Sequence, residues 1–112
     1  MSDIRQAFAE ALKDLRLGAN LAQTDFPPII SREHVSLLER GLRAPTLETI
    51  DMLAQVLGVS PLALIIQCYL IRDPSVDMDH LLSDAVQDVR YKRVLARRGI
   101  SPDPSDGTEE SN

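Results

Sequence analysis

Within the stretch Arg32 to Arg40, five side chains carry most of the chemistry this chain can offer. Val35 and Leu38 lie one helical turn apart and set an inward direction. Advancing about 100° per residue from that direction puts Glu33 and Arg40 on the opposite side, Ser36 and Leu37 well outward, and Arg32 on the flank. An outward Arg presents a planar fork of donors, a Glu accepts, a Ser does both, and a Leu offers apolar contact. That set binds a partner's polar edges and does not make or break bonds. Elsewhere the sequence holds no Gly-rich phosphate loop, no Cys/His ligand cluster and no nucleophile with a placed base, so neither an enzyme nor a cofactor or metal site is expected. His80 has no partner at metal-ligand spacing. His34 flanks the inward face and reads as packed, not as a pH sensor. Asp77 and Asp79 read as first-turn residues favoured by the helix dipole. Cys68, the single cysteine, sits in an apolar stretch and reads as a packed thiol. A lone Cys fits a reducing cytoplasm.

The outward set needs a rigid helix beneath it, and the local signals supply one. Ser31 caps a helix from Arg32 to about Arg40, and Gly41 ends it. Upstream, Ser2 or Asp3 caps a first helix with Ile4, Phe8, Ala11, Leu12 and Leu15 on one face and Gly18 as its stop. Leu21 to Phe26 has room for only a short second helix, because Pro27-Pro28 must end it. Downstream, Thr46 caps a fourth helix with Leu47, Ile50, Leu53, Ala54 and Leu57 inward and Gly58 as its stop. Ser60-Pro61 opens a fifth helix to about Arg72, apolar on nearly all sides and expected to be buried on two faces. After Asp73-Pro74 a sixth helix is predicted from about Val76 to Arg98, with the stripe Met78, Leu81, Leu82, Ala85, Val86 and Val89. Acidic residues lead this helix and basic ones end it, matching the dipole. The Arg90 to Arg98 cluster reads as a solvated helix end, with DNA-backbone contact as the alternative. From Ser101 the composition is that of a disordered tail.

The 112 residues are 44% hydrophobic but only 4% aromatic, with no Trp. Such a core is aliphatic and suits packed helices. No apolar run is long enough to span a membrane, and the N-terminus lacks a signal-peptide pattern. The net charge of −5 argues against a nucleic-acid partner if taken whole. Its distribution weakens that objection. Residues 1–70 hold six basic and eight acidic side chains, residues 71–100 hold six and five, and the last twelve hold four acidic and none basic. Binding depends on the charge of one face rather than on the sum.

The stretch Leu21 to Leu64 resembles the Cro and phage-repressor type (Xre) helix-turn-helix family. The resemblance is carried by Leu21-Ala22-Gln23, by Ser31-Arg32-Glu33-His34-Val35-Ser36-Leu37-Leu38-Glu39-Arg40-Gly41, by Pro45-Thr46-Leu47-Glu48-Thr49, by Leu53-Ala54, and by Leu57-Gly58-Val59-Ser60. With Leu53 to Ser60 taken as one, four such segments stand in register, and with the first helix they cover roughly residues 4 to 68. The resemblance implies an all-α chain: a five-helix lambda-repressor-like DNA-binding domain over residues 1–72, an added C-terminal helix over 73–100 as a possible dimerisation element, and a disordered acidic tail over 101–112. It implies a cytoplasmic regulator of transcription, a repressor before an activator, that binds a palindromic double-stranded DNA operator as a homodimer. A capped helix fills the major groove, and residues early on its outer face reach base edges. By match to the family pattern, Arg32, Glu33 and Leu37 are the base readers: Arg32 toward guanine O6 and N7, Glu33 toward cytosine N4 or toward Arg32, Leu37 toward a thymine methyl. Gln23, Ser36, Arg40 and Arg43 are the backbone contacts. Glu39 braces the scaffold through a basic residue or a backbone N–H. Leu62, Leu64, Ile65, Tyr69 and Leu81 are the expected dimer contacts.

The chain departs from the family pattern before Ser31. The interval from Gln23 to Ser31 is about two residues short, the usual small Ala and turn Gly are replaced by Phe26-Pro27-Pro28-Ile29-Ile30, and Ala22 stands where a hydroxyl usually caps. Helix two is therefore shortened, and the family pattern no longer fixes its angle to helix three. With the acidic net charge and the apolar Leu37, these departures keep two alternatives open. One is a protein-interaction module that kept the fold. The other is an antitoxin that also binds a small protein partner.

Overall fold

Short polar side chains open every α-helix by accepting orphan backbone donors. In the computed structural model, which describes residues 3–92, Asp3 Oδ1 accepts the Arg5 N–H at 3.3 Å ahead of α1, Ile4–Gly18. Ser31 Oγ accepts the His34 N–H at 3.1 Å ahead of α2, Arg32–Glu39. Thr46 Oγ1 accepts the Thr49 N–H at 3.0 Å ahead of α3, Leu47–Leu57. Ser60 Oγ accepts the Leu62 N–H at 3.1 Å ahead of α4, Pro61–Arg72. Asp77 Oδ2 accepts the His80 N–H at 3.2 Å ahead of α5, Met78–Gln87, which continues as a π-helical stretch over Asp88–Lys92. No strand occurs among the described residues. The described residues are all-helical, consistent with the lambda-repressor-like fold that the resemblance implies. The chain divides into two compact units, Met1–Ser75 with α1 to α4, and Val76–Asn112 with α5. The expected extension of the last helix to Arg98 and the acidic tail lie outside the described residues. No single helix among those described is long and apolar enough to cross a membrane.

The short second helix expected over Leu21–Phe26 is a single 3-10 turn, Gln23–Asp25. Ala22 has no side-chain acceptor, and Asp25 Oδ2 instead reaches back to the Ala22 N–H at 2.7 Å, one half of a capping box. What the lost helical turn would have buried comes from the connector. Phe26 is 0% exposed and Ile30 is buried, and both join Ala7, Phe8, Ala11, Leu12, Val35 and Leu38 in the core of the first unit. Ile50, Leu53, Ala54, Leu57, Leu64 and Cys68 complete that core.

Three expectations about packing are corrected. Leu47, expected to point inward, is 78% exposed; it is the first residue of α3 and lies beyond the buried run that begins at Thr49 and Ile50. Gly18 is the last residue of α1 but not its left-handed stop. Asn20 takes that role at φ 62, with the Leu21 N–H returning to the Arg16 carbonyl at 3.0 Å. Asn is the side chain that best tolerates this conformation after Gly. Gly41 and Gly58 do end their helices left-handed, at φ 72 and 74. A Cβ on Gly41 would also lie 2.6 Å from Gln6 Oε1, the end of a flexible side chain that can move aside, so the positive φ is what calls for glycine there. Finally, α4 is buried along one face only, through Leu64 and Cys68, while Leu62 is 61% exposed and Tyr69 is also exposed.

Candidate nucleic-acid interface

The eight residues of α2 present two unlike sides. Val35 and Leu38 are fully buried and fix the helix to the core. Arg32, Glu33 and Arg40 are exposed, as is Arg43 in the loop that follows, while Ser36 and Leu37 are half-buried on the flanks. Among the described residues, no hydrogen bond or ion pair engages the side chains of Arg32, Glu33, Arg40 or Arg43. Their donors and acceptor remain available to a partner. His34 is half-buried, as a packed flank residue should be.

The far end of α2 is tied to the helix before it. Glu39 Oε2 accepts from Arg16 Nε at 2.7 Å and Glu39 Oε1 from Arg16 Nη2 at 2.9 Å, a two-point fork. Glu39 Oε1 also accepts from Gln23 Nε2 at 3.0 Å, and Arg16 Nη1 donates to the Leu21 carbonyl at 2.9 Å. The Arg16 and Glu39 side chains are only 11% and 5% exposed. The hydrogen bonding that Arg16 donates to Glu39, opposed by partial burial and aided by the carboxylate's charge, raises the guanidinium pKa above its ordinary value. Its charge therefore persists throughout the ordinary pH range. The basic partner expected for Glu39 is thus Arg16, which sequence reasoning did not single out. Gln23 was expected to touch DNA backbone only, yet it also supports the fork. An amide nitrogen carries two hydrogens, so the Gln23 Nε2 still has one donor for a phosphate. The network locks α1, the 3-10 turn and α2 into one arrangement, even though the turn is shorter than the usual helix.

The result is a capped rod, about 12 Å long at 1.5 Å per residue, anchored along one side and open along the other. A major groove about 12 Å wide admits a helix, whose diameter with side chains is about 10–12 Å. A helix-turn-helix family model matches residues 12–64, from within α1 to Leu64 in α4. Residues 12–64 are a helix-turn-helix domain of the Cro and phage-repressor type. A domain of this kind supports DNA binding and regulation of transcription in general. This helix-turn-helix family is a regulatory one and is not usually enzymatic. Neither the curated proteins nor the solved structures contain a match to the chain.

Within the matched residues, the 3-10 turn precedes α2, in the order that the resemblance implies for helix two and a recognition helix. The match includes Arg16, Gln23 and Glu39 as well as α2 and α3, and it excludes α5. Of the five expected dimer contacts, Leu64 is corrected: it is 0% exposed inside the core of its own unit and has no surface to share. Leu62 and Tyr69 are exposed and Ile65 is half-buried on α4, whereas Leu81 is half-buried on α5 in the second unit.

Proposed function

We propose that this chain represses transcription in the cytoplasm by binding a palindromic double-stranded DNA operator as a homodimer. One observation carries the reading: the capped first turn of α2 holds Arg32 and Glu33 exposed and, among the described residues, unpaired, on a helix whose opposite side is fully buried. Arg32 donates in parallel to guanine O6 and N7, Glu33 accepts from cytosine N4, and Leu37 lies against a thymine methyl. Gln23, Ser36, Arg40 and Arg43 hold phosphates and set the register without reading sequence. A single recognition helix reads about half a site, and two copies one helical turn apart supply the rest. Leu62, Ile65, Tyr69 and Leu81 are the apolar side chains that join the copies. Selection of bound duplexes from a random pool tests this. The expected product is a palindrome with half-sites centred about 10 base pairs apart or a multiple of it. A pool that shows no enriched sequence at low salt would overturn it.

A second reading is supported by α5, no residue of which is buried. An interaction module or antitoxin that keeps the helix-turn-helix fold would use such a helix to hold a small protein partner. Co-purification of a defined small protein, together with failure of the selection, would put this reading in place of the first.

A further inference from the structure

Asp25 sets an exposed carboxylate two residues from Gln23, the half-buried side chain assigned to a DNA phosphate. On charge alone it opposes a polyanion. Its hydrogen bonding works the other way. Ala22 stands at the N-cap of the 3-10 turn and has no side-chain acceptor. Asp25 closes the turn in its place through two reciprocal bonds. Its Oδ2 accepts the Ala22 N–H at 2.7 Å, and the Ala22 carbonyl accepts the Asp25 N–H at 3.0 Å. Gln23 and Thr24 are the two residues enclosed between those bonds. The flanks of the turn are tethered separately. The Leu21 N–H and carbonyl both engage Arg16, at 3.0 and 2.9 Å, and Phe26 is buried in the core. Between these tethers, the Phe26 N–H reaches the Gln23 carbonyl only at 3.4 Å.

We infer that Asp25 is a positioning residue for DNA binding: by holding the Ala22 N–H it fixes the backbone of Gln23, so that the second amide hydrogen of Gln23 stands where a phosphate oxygen accepts it. This rests on the reading that Gln23 holds a phosphate, and it names the residue that makes the contact possible in a turn without a hydroxyl cap. Glu39 cannot do this alone. Its Oε1 accepts from Gln23 Nε2 at 3.0 Å while also accepting from Arg16 Nη2 at 2.9 Å. That one shared bond sets which way the amide points, but not where its backbone lies. A hydrogen bond weakens steeply with distance and angle, so a shift of about 1 Å in the Gln23 backbone removes the phosphate contact. Asp25 therefore acts through Gln23 and touches no DNA itself.

Two substitutions of Asp25 in the full chain separate its charge from its bond. Asp25→Asn and Asp25→Ala remove the same charge, but only Asn keeps an acceptor for the Ala22 N–H. Asp25 is exposed, so both variants keep the fold, which circular dichroism checks before titration. Anisotropy titrations use the selected operator duplex and an unrelated duplex of equal length. Asp25→Ala should bind roughly tenfold more weakly than Asp25→Asn, the order expected for one hydrogen bond to a charged acceptor. Gln23→Ala should cost roughly tenfold in the Asp25→Asn background and little in the Asp25→Ala background, where the contact is already lost. Both losses should be the same on the two duplexes, since phosphate contacts carry no sequence information. Equal affinities of the two Asp25 variants, or an equal Gln23→Ala loss in both backgrounds, would overturn the inference. A loss confined to the operator would also overturn it and place the effect of Asp25 on the base readers of α2. If Gln23→Ala leaves binding by the otherwise unaltered chain unchanged, the phosphate reading of Gln23 itself fails, and this inference with it.

Discussion

At the scale of single residues, two arginines of the same domain do opposite work. Arg16 is held at three points and nearly covered, whereas Arg32 is exposed and has no partner among the described residues. Replacing Arg32 with Ala should leave the fold unchanged and cost about 1–3 kcal/mol of DNA binding, with relaxed preference at a single base pair. Anisotropy titrations against the selected operator and its single-base variants measure both. Replacing Arg16 with Ala should do the reverse. It strips the fork from a carboxylate that is only 5% exposed and leaves Gln23 as its remaining side-chain donor. The loss falls between that of an exposed and a buried pair, about 1–3 kcal/mol of folding stability, read by urea denaturation. Any loss of DNA affinity should then be equal across sequences. If Arg16→Ala proves as stable as the parent, the network does not lock the recognition helix. Only part of this division of labour was legible in the sequence. The outward set on α2 follows from the spacing of Val35 and Leu38, and a bracing role for Glu39 from the family resemblance. That Arg16 is its partner depends on how α1 ends, at Asn20 rather than Gly18, and no periodicity records that.

At the scale of elements, local chemistry gave the helix starts more fully than the inward faces. Ser31, Thr46, Ser60 and Asp77 each precede a helical pattern and each accepts a backbone N–H in the structure. Capping is a contact between near neighbours in sequence, so sequence can show it. Packing is not local. The stripe on α3 suggested that Leu47 was inward, yet the core begins a turn later. α4 is apolar on most sides, which hides the fact that Leu64 faces inward and Leu62 outward. The connector before α2 was the least legible part, because a proline-broken segment has no period to follow. It nonetheless supplies Phe26, among the largest fully buried side chains of the chain. Truncation of Phe26 to Ala should therefore cost about 3–5 kcal/mol, the range for a large core aromatic. Ile29→Ala, three residues on but exposed, should change stability within about 0.5 kcal/mol. Near-equal denaturation midpoints for the two variants would mean that the connector does not replace the missing helical turn.

At the scale of the whole molecule, the question is how a chain of net charge −5 approaches a polyanion. The local face answers for contact: Arg32, Arg40 and Arg43 are all exposed on or just after α2, whose one exposed acid is Glu33. Contact charges act through counterion release, so Arg43→Ala should weaken all sequences about equally and lower the salt slope by about one. The long-range field answers for encounter, and there the last twelve residues matter, with four acidic side chains and no basic one. Deleting Ser101 to Asn112 would shift the net charge from −5 to −1. At about 0.01 M salt the screening length is about 30 Å, so that charge is felt across the molecule, while at 0.15 M it shrinks to about 8 Å. Removal of the tail should accordingly raise the association rate with operator DNA at low salt and change it little at 0.15 M, with the dissociation rate unaltered at both. Stopped-flow measurements at the two salt concentrations separate these effects. A change in dissociation rate instead would place the tail in contact with the bound complex, and the acidic segment would then act on the interface itself and not through the field around it.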